Sequence, residues 1–173
     1  MDMYTGMIIH GYPCIGKSSV GGMHHCIDLE SSTFYDAETK TDSKWYEKYC
    51  NVAIDLAKQG YIVFMSTHRE VVDYMQAHAA NLKLNNIEGP YIIFPSKDLK
   101  YSWIIKAHNR FMVDQSNKNY RSFERMAAHF EEDIDYLSSF AKNHLVILEN
   151  NDYNLIDIII ELKLWKGYLN KYV

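Results

Sequence analysis

Eight residues near the N-terminus, Gly11-Tyr12-Pro13-Cys14-Ile15-Gly16-Lys17-Ser18, constrain what this chain can fold into more than any other stretch. They follow a short apolar run, Tyr4 to His10 (YTGMIIH), that reads as a buried parallel strand, and they precede a helix expected to begin near Gly16. The spacing is G-x-x-x-x-G-K-[ST]. Glycine at both ends lets the backbone turn and come close to a ligand, so that successive N–H groups can point inward as an anion nest. The helix behind the loop adds its positive N-terminal end. Lys17 supplies a movable charge for the β and γ phosphates of a nucleotide, and the Ser18 hydroxyl is short enough to ligate a magnesium ion bridging them. The loop therefore predicts an ATP and magnesium site contributed by Gly11, Pro13, Cys14, Ile15, Gly16, Lys17, Ser18 and the adjoining Ser19.

A strand, a phosphate loop and a helix require a sheet to belong to, and the rest of the chain supplies one. Cys26 to Leu29 is a second short apolar run, followed by a polar loop (ESSTFYDAETKTDS) in which Asp42 or Ser43 is placed to cap the next helix. From Lys44 to Gln59, Tyr46, Tyr49, Cys50, Ala53, Leu56 and Ala57 recur at helical spacing, and Gly60 ends the pattern. Tyr61 to Thr67 (YIVFMST) reads as a central strand, Arg69 to Leu82 as a helix and Tyr91 to Pro95 as a strand. A long helical stretch from Asp98 to Asn143 is interrupted near Asp114 to Asn119; His144 to Glu149 is the last strand and Tyr153 to Tyr172 the last helix. Strands alternating with helices predict an α/β fold with a parallel sheet, and 173 residues suit one domain.

Composition narrows the partners. A net charge of −4 and no dense Lys/Arg run disfavour a general nucleic-acid binder, which needs a basic face. Cys14, Cys26 and Cys50 form neither a C-x-x-C pair nor an even set, which fits a reducing cytoplasm better than a disulfide framework. No stretch approaches the roughly 20 apolar residues of a membrane helix, and no targeting signal is read. His24 and His25 are adjacent, so they cannot face one metal ion as an i, i+4 pair would. Trp45, Trp103 and Trp165 lie on helical apolar faces and read as core.

The remaining chemistry is expected where strands end, because ligands of an open α/β sheet bind outside the carboxyl ends of its strands. Asp28 and Glu30 form an acid-x-acid pair at the end of the second strand; one carboxylate can orient a magnesium-bound water and the other can accept a proton from, or hold, the attacking hydroxyl. Ser66, Thr67 and His68 end the third strand, where they can contact a γ phosphate or substrate; no acid closes this strand, which moves the magnesium-holding job to Asp28 or to water. Arg69 follows at once, with a planar fork suited to an acceptor phosphate or carboxylate. Arg110, Arg121 and Arg125 fall in the interrupted helical stretch, where a lid can bring cations onto a transferring phosphoryl group; the plainer reading is solvated helix residues in weak surface ion pairs.

With GYPCIGKSS, the acids of IDLESSTF, the THRE segment and the arginines of the interrupted helix in view, the chain resembles the small P-loop kinases of the nucleoside and nucleotide kinase group. It is similar in particular to the compact nucleotide-kinase-like proteins of bacterial viruses and prophages. The resemblance spans nearly the whole chain in element order, with the phosphate loop its one specific motif. It implies a three-layer P-loop fold with strand order 2-3-1-4-5 and a helical lid over about 98–125. It also implies that Asp28 and Glu30 face the acceptor, that Arg69 holds an acceptor phosphate, and that Arg110, Arg121 and Arg125 lie in the lid, with Lys17, Asp28 and Arg110 serving the transfer. Cys14 departs from the pattern by standing where many such enzymes have a third glycine, and the lid's usual regular arginine pattern is thin, with Lys106 and His108 in neighbouring positions. The implied activity is ATP-dependent phosphoryl transfer to a nucleoside, nucleotide or related small molecule. A hydroxymethylated base in DNA, another metabolite, or nucleotide binding without catalysis remain open at this level.

Overall fold

The computed structural model describes residues 6–23, 25–35 and 43–172, with residues 164–172 as backbone only. Five strands form one parallel sheet: β1 (Met7–Gly11), β2 (Cys26–Asp28), β3 (Ile62–Met65), β4 (Glu88–Pro95) and β5 (Leu145–Leu148). Their order is β2-β3-β1-β4-β5, as the resemblance implies. Parallel neighbours need crossover helices, and these cover both faces. On one face lie α2 (Trp45–Lys58), α3 (Arg69–Ala77) and α4 (Ala79–Leu84). On the other lie α1 (Lys17–Val20), α5 (Lys100–Val113), α6 (Asn117–Ser138) and α7 (Leu155–Tyr172).

Alternation along the central strands divides the core between the faces. Ile9 and Phe64 join Trp103, Met126 and Phe130 on the α5–α6 side, while Ile8, Val63 and Met65 join Tyr49, Ala53 and Met75 on the α2–α3 side. This arrangement buries β1 and β3 from both sides, and every residue of the two strands is buried. Trp45 and Trp103 are core residues as expected; the Trp165 side chain, His24 and Asp42 lie outside the described residues.

Local differences from the expected elements have identifiable causes. The helix expected over Arg69–Leu82 is two helices, because His78 turns out of helical geometry, its ring stacks 4.1 Å from that of Tyr74 and its Nδ1 bonds the Tyr74 carbonyl at 2.7 Å. Ser43 does not cap α2, which begins after Lys44 without a side-chain cap. The break near Asp114–Asn119 is present: α5 stops at Val113, and α6 restarts behind Ser116, whose side chain accepts from the Asn119 N–H. A kink inside α6 at His129 has no sequence signal. Strand β4 starts three residues earlier than expected, at Glu88, whose N–H donates to the Gly6 carbonyl.

Candidate functional site

Strand β1 carries its pairing to Gly11, opposite Ile93, and the chain then leaves the sheet at its centre. The Tyr12 N–H donates to the Ile93 carbonyl at 2.9 Å and the Ile15 N–H to Tyr12 at 3.3 Å. Cys14 and Gly16 adopt left-handed backbone, with φ of 69° and 101°. Left-handed Gly16 followed by helical Lys17 is the alternation that turns consecutive N–H groups towards one point. Among the described residues no backbone carbonyl accepts from the N–H groups of Cys14, Gly16, Lys17 or Ser18. They are the open donors of a nest at a helix N-terminus. The departure at Cys14 has its physical reading here: the position needs positive φ, which glycine adopts freely and cysteine adopts at a cost of about 1–2 kcal/mol.

Lys17 lies across this nest. Its Nζ donates to the Gly11 carbonyl at 2.5 Å. Its stem leaves no room beside Gly11, where a Cβ would sit 2.6 Å from Ile15 Cδ1 and 2.8 Å from Lys17 Cδ. Burial brings the Lys17 ammonium down to about 8, against the attraction of Asp28 and Glu30, with Arg110 adding repulsion. Burial likewise pushes the Asp28 carboxyl up, opposed by Lys17. The two groups therefore share one partly dehydrated field.

Two aromatic side chains hold the loop from outside. Trp103 of α5 donates its Nε1–H to the Pro13 carbonyl at 2.9 Å, and Tyr153 before α7 donates its hydroxyl to the Ile15 carbonyl at 2.8 Å. Their rings lie 17° from parallel, and Lys106 Nζ sits 3.7 Å from the Trp103 ring centroid. Beside them opens a cavity of about 440 Å³ lined by Cys14, Gly16, Lys106, Asn151, Tyr153 and Asn154. Burial raises the Cys14 thiol although Arg110, Lys17 and Lys106 all act to lower it.

On the opposite side, Glu30 accepts from Lys118 Nζ at 2.5 Å, which joins the start of α6 to the end of β2. Arg110 points into the same field and donates to Ser122 at 2.9 Å, with its Nε buried and without a protein partner. Arg125 and Arg69 are tied elsewhere: Arg125 forks onto Asp133 at 2.6 and 3.2 Å, and Arg69 meets Glu132 at 3.1 Å and stacks on Tyr136. Arg121 is exposed on α6. The fold thus gathers Lys17, Asp28, Glu30 and Arg110, and sets Arg69 and Arg125 in carboxylate pairs at the rim. Lys118, Trp103, Tyr153 and the two asparagines were not singled out for the site in the sequence; Lys118 had the polar interruption as a signal, and the others had none.

His10, one residue before the loop, is fully buried. Its Nδ1 lies 2.9 Å from the Ser66 carbonyl, which can only accept, so Nδ1 carries the proton; Nε2 is buried without a partner. Burial chiefly, and Lys17 in addition, brings this imidazole down to about 4.

Among the described residues no group of three or more His, Cys, Asp or Glu gathers, whereas magnesium usually takes one or two protein oxygens together with phosphate and water. Ser18, exposed in the first turn of α1, and Asp28 supply such oxygens. No family model matches the chain, and no curated protein matches its sequence. No helix among the described residues is long and apolar enough to cross a membrane.

Proposed function

We propose that the protein is a magnesium- and ATP-dependent phosphotransferase acting on a nucleoside, nucleotide or related small acceptor. The observation that carries this reading is the nest of four open N–H groups around Lys17, facing Asp28 and Glu30 at the carboxyl ends of β1 and β2. A triphosphate needs such donors, and a half-buried lysine has reason to exchange its carbonyl partner for phosphate oxygens. The adjoining cavity accommodates the donor base, with the Asn151 and Asn154 amides as hydrogen-bonding groups on its wall.

In this reading the acceptor hydroxyl lies against Glu30 and Asp28, the bond between the β,γ-bridging oxygen and the γ phosphorus breaks, and a bond to the acceptor oxygen forms. A carboxylate takes the acceptor's proton. Magnesium held by Ser18 and Asp28 would neutralise charge on the phosphate oxygens. Lys17 and Arg110 balance the charge that remains, and the chain's contribution is positioning and electrostatics. Lys118 must release Glu30 for an acceptor to reach it.

The test is labelled-ATP transfer across a panel of nucleosides, nucleotides and hydroxymethylated DNA. Wild type is expected to label a small acceptor, and Lys17→Ala, with unchanged circular dichroism, is expected to lose transfer by at least about a thousandfold. Transfer by Lys17→Ala at the wild-type rate sinks the assignment. Tight nucleotide binding with no product across the whole panel moves the protein to a nucleotide-sensing role.

A further inference from the structure

Helix α6 bends at His129, whose φ of −131° and ψ of 17° leave helical geometry. Sharp bends usually mark proline, glycine or an inserted group, and residues 117–138 contain neither proline nor glycine. A side-chain pair straddles this bend instead. Arg125 lies one turn before His129 and Asp133 one turn after it, and the arginine forks onto the carboxylate at 2.6 and 3.2 Å. In a straight helix, residues eight apart stand about 12 Å apart along the axis and about 80° apart round it, so they are not the neighbours that residues three or four apart are. The bend brings the two together, and the fork holds the bend. Only 14% of the Asp133 side chain is exposed, so this charged, two-pronged pair is shielded on one side and is stronger than a solvated one.

The bend divides α6 into a fixed half and a projecting half. Beyond it, Phe130, Ile134 and Leu137 are buried, and Lys97 and Lys100 hold Asp135 and Glu131 at 2.5 and 2.9 Å. Before it, the helix runs about 16 Å back to Lys118, so a change of about 10° at His129 displaces that end by about 3 Å. Such a shift is enough to part Lys118 from Glu30, which meet at 2.5 Å. Lys118 stands in the first turn of α6, where a positive charge opposes the helix dipole. Helix stability gives no reason for a lysine there, and Glu30 does.

We infer that Asp133 is a positioning residue for the candidate site: its fork with Arg125 keeps α6 bent, and the bend keeps Lys118 on Glu30. The pair at Glu30 is 54% and 45% exposed and weak by itself. It is held because a shielded pair on the same helix fixes its geometry. On the phosphotransferase reading, on which this consequence rests, the brace closes the acceptor side of the site until an acceptor displaces the lysine.

Zero-length coupling of the full chain with a water-soluble carbodiimide tests the brace without nucleotide. Its failure is therefore separate from failure of the phosphotransferase reading, which Lys17→Ala decides. The reagent joins an amine to a carboxylate in direct contact, and mass spectrometry of the digest measures the Lys118–Glu30 bond against the Lys100–Glu131 bond as internal standard. The Lys118–Glu30 yield is expected to fall at least about fivefold in Asp133→Ala and in the isosteric Asp133→Asn, and to return in Asp133→Glu, with Lys100–Glu131 constant throughout. A Lys118–Glu30 yield unchanged in both variants overturns the proposal and leaves the bend to the packing of α6 on α5, where Phe123 meets His108. A loss that Lys100–Glu131 shares equally in Asp133→Asn overturns it too, since Asp133 would then serve stability in general.

Discussion

Lys17 and Gly11 define the site at the scale of single residues, and each constrains the other. The lysine stem occupies the space a Cβ at Gly11 would need, and the lysine head is bonded to the Gly11 carbonyl. Gly11→Ala is therefore expected to push the stem out of the nest and weaken ATP binding by about tenfold or more, measured by calorimetry, with the fold retained because the intruded atoms belong to flexible side chains. An affinity equal to wild type would mean that Lys17 does not bind phosphate from this position. The turn between a strand and a helix, with Gly11 and Gly16 at its ends and Lys17 opening the helix, was legible in the sequence, because it follows from residue types at a fixed spacing. The left-handed backbone at Cys14 was legible only as a departure from a pattern; its φ of 69° is the physical content of that departure.

Elements are held around the site by a few side chains that bridge them. Tyr49 of α2 is the clearest: its hydroxyl donates to the Leu29 carbonyl at 2.6 Å and accepts from the Ser66 N–H at 2.9 Å, tying the end of β2 to the end of β3. Both ends carry proposed site residues, Asp28 and Glu30 on one and Arg69 on the other. Tyr49→Phe leaves a carbonyl and an N–H without partners, so denaturant unfolding is expected to show a loss of about 1–3 kcal/mol. A loss near zero would show that the two groups find other partners. Helical periodicity marked Tyr49 as a core position of α2. It could not mark the hydroxyl as a bridge, because the two atoms it joins lie at the ends of β2 and β3, strands distant in sequence that only the folded sheet sets side by side. The division of Arg69–Leu84 into α3 and α4 was hidden for a related reason: His78 breaks the helix through a local side-chain bond that apolar spacing does not record.

For the whole molecule, the central strand carries a buried histidine that couples stability to pH. His10 has an ordinary value of 6.5 in the unfolded chain and about 4 when folded, so the unfolded state binds the proton first as pH falls. Stability should therefore decline from about pH 6.5 towards pH 4, by about 2 kcal/mol at pH 5 from this group alone. Protonation would create an N–H at Nε2 with no acceptor. His10→Phe keeps a ring and removes the titration, and its unfolding free energy should depend less on pH over that window; parallel profiles for the two proteins would exclude the assignment. At this scale the sequence by itself determined the glycine-bounded loop after β1, the alternation of strands and helices, and the parallel sheet, because glycine geometry and apolar periodicity act over a few neighbouring residues. Tertiary structure alone decided which side chains meet: Lys118 with Glu30 across 88 positions and Trp103 with Pro13 across 90. It also decided which side of α5 turns inward, with Trp103 and Ala107 in the core. Those pairings depend on how crossovers bring distant segments together over the strand ends, and no local property of either partner encodes the other's position.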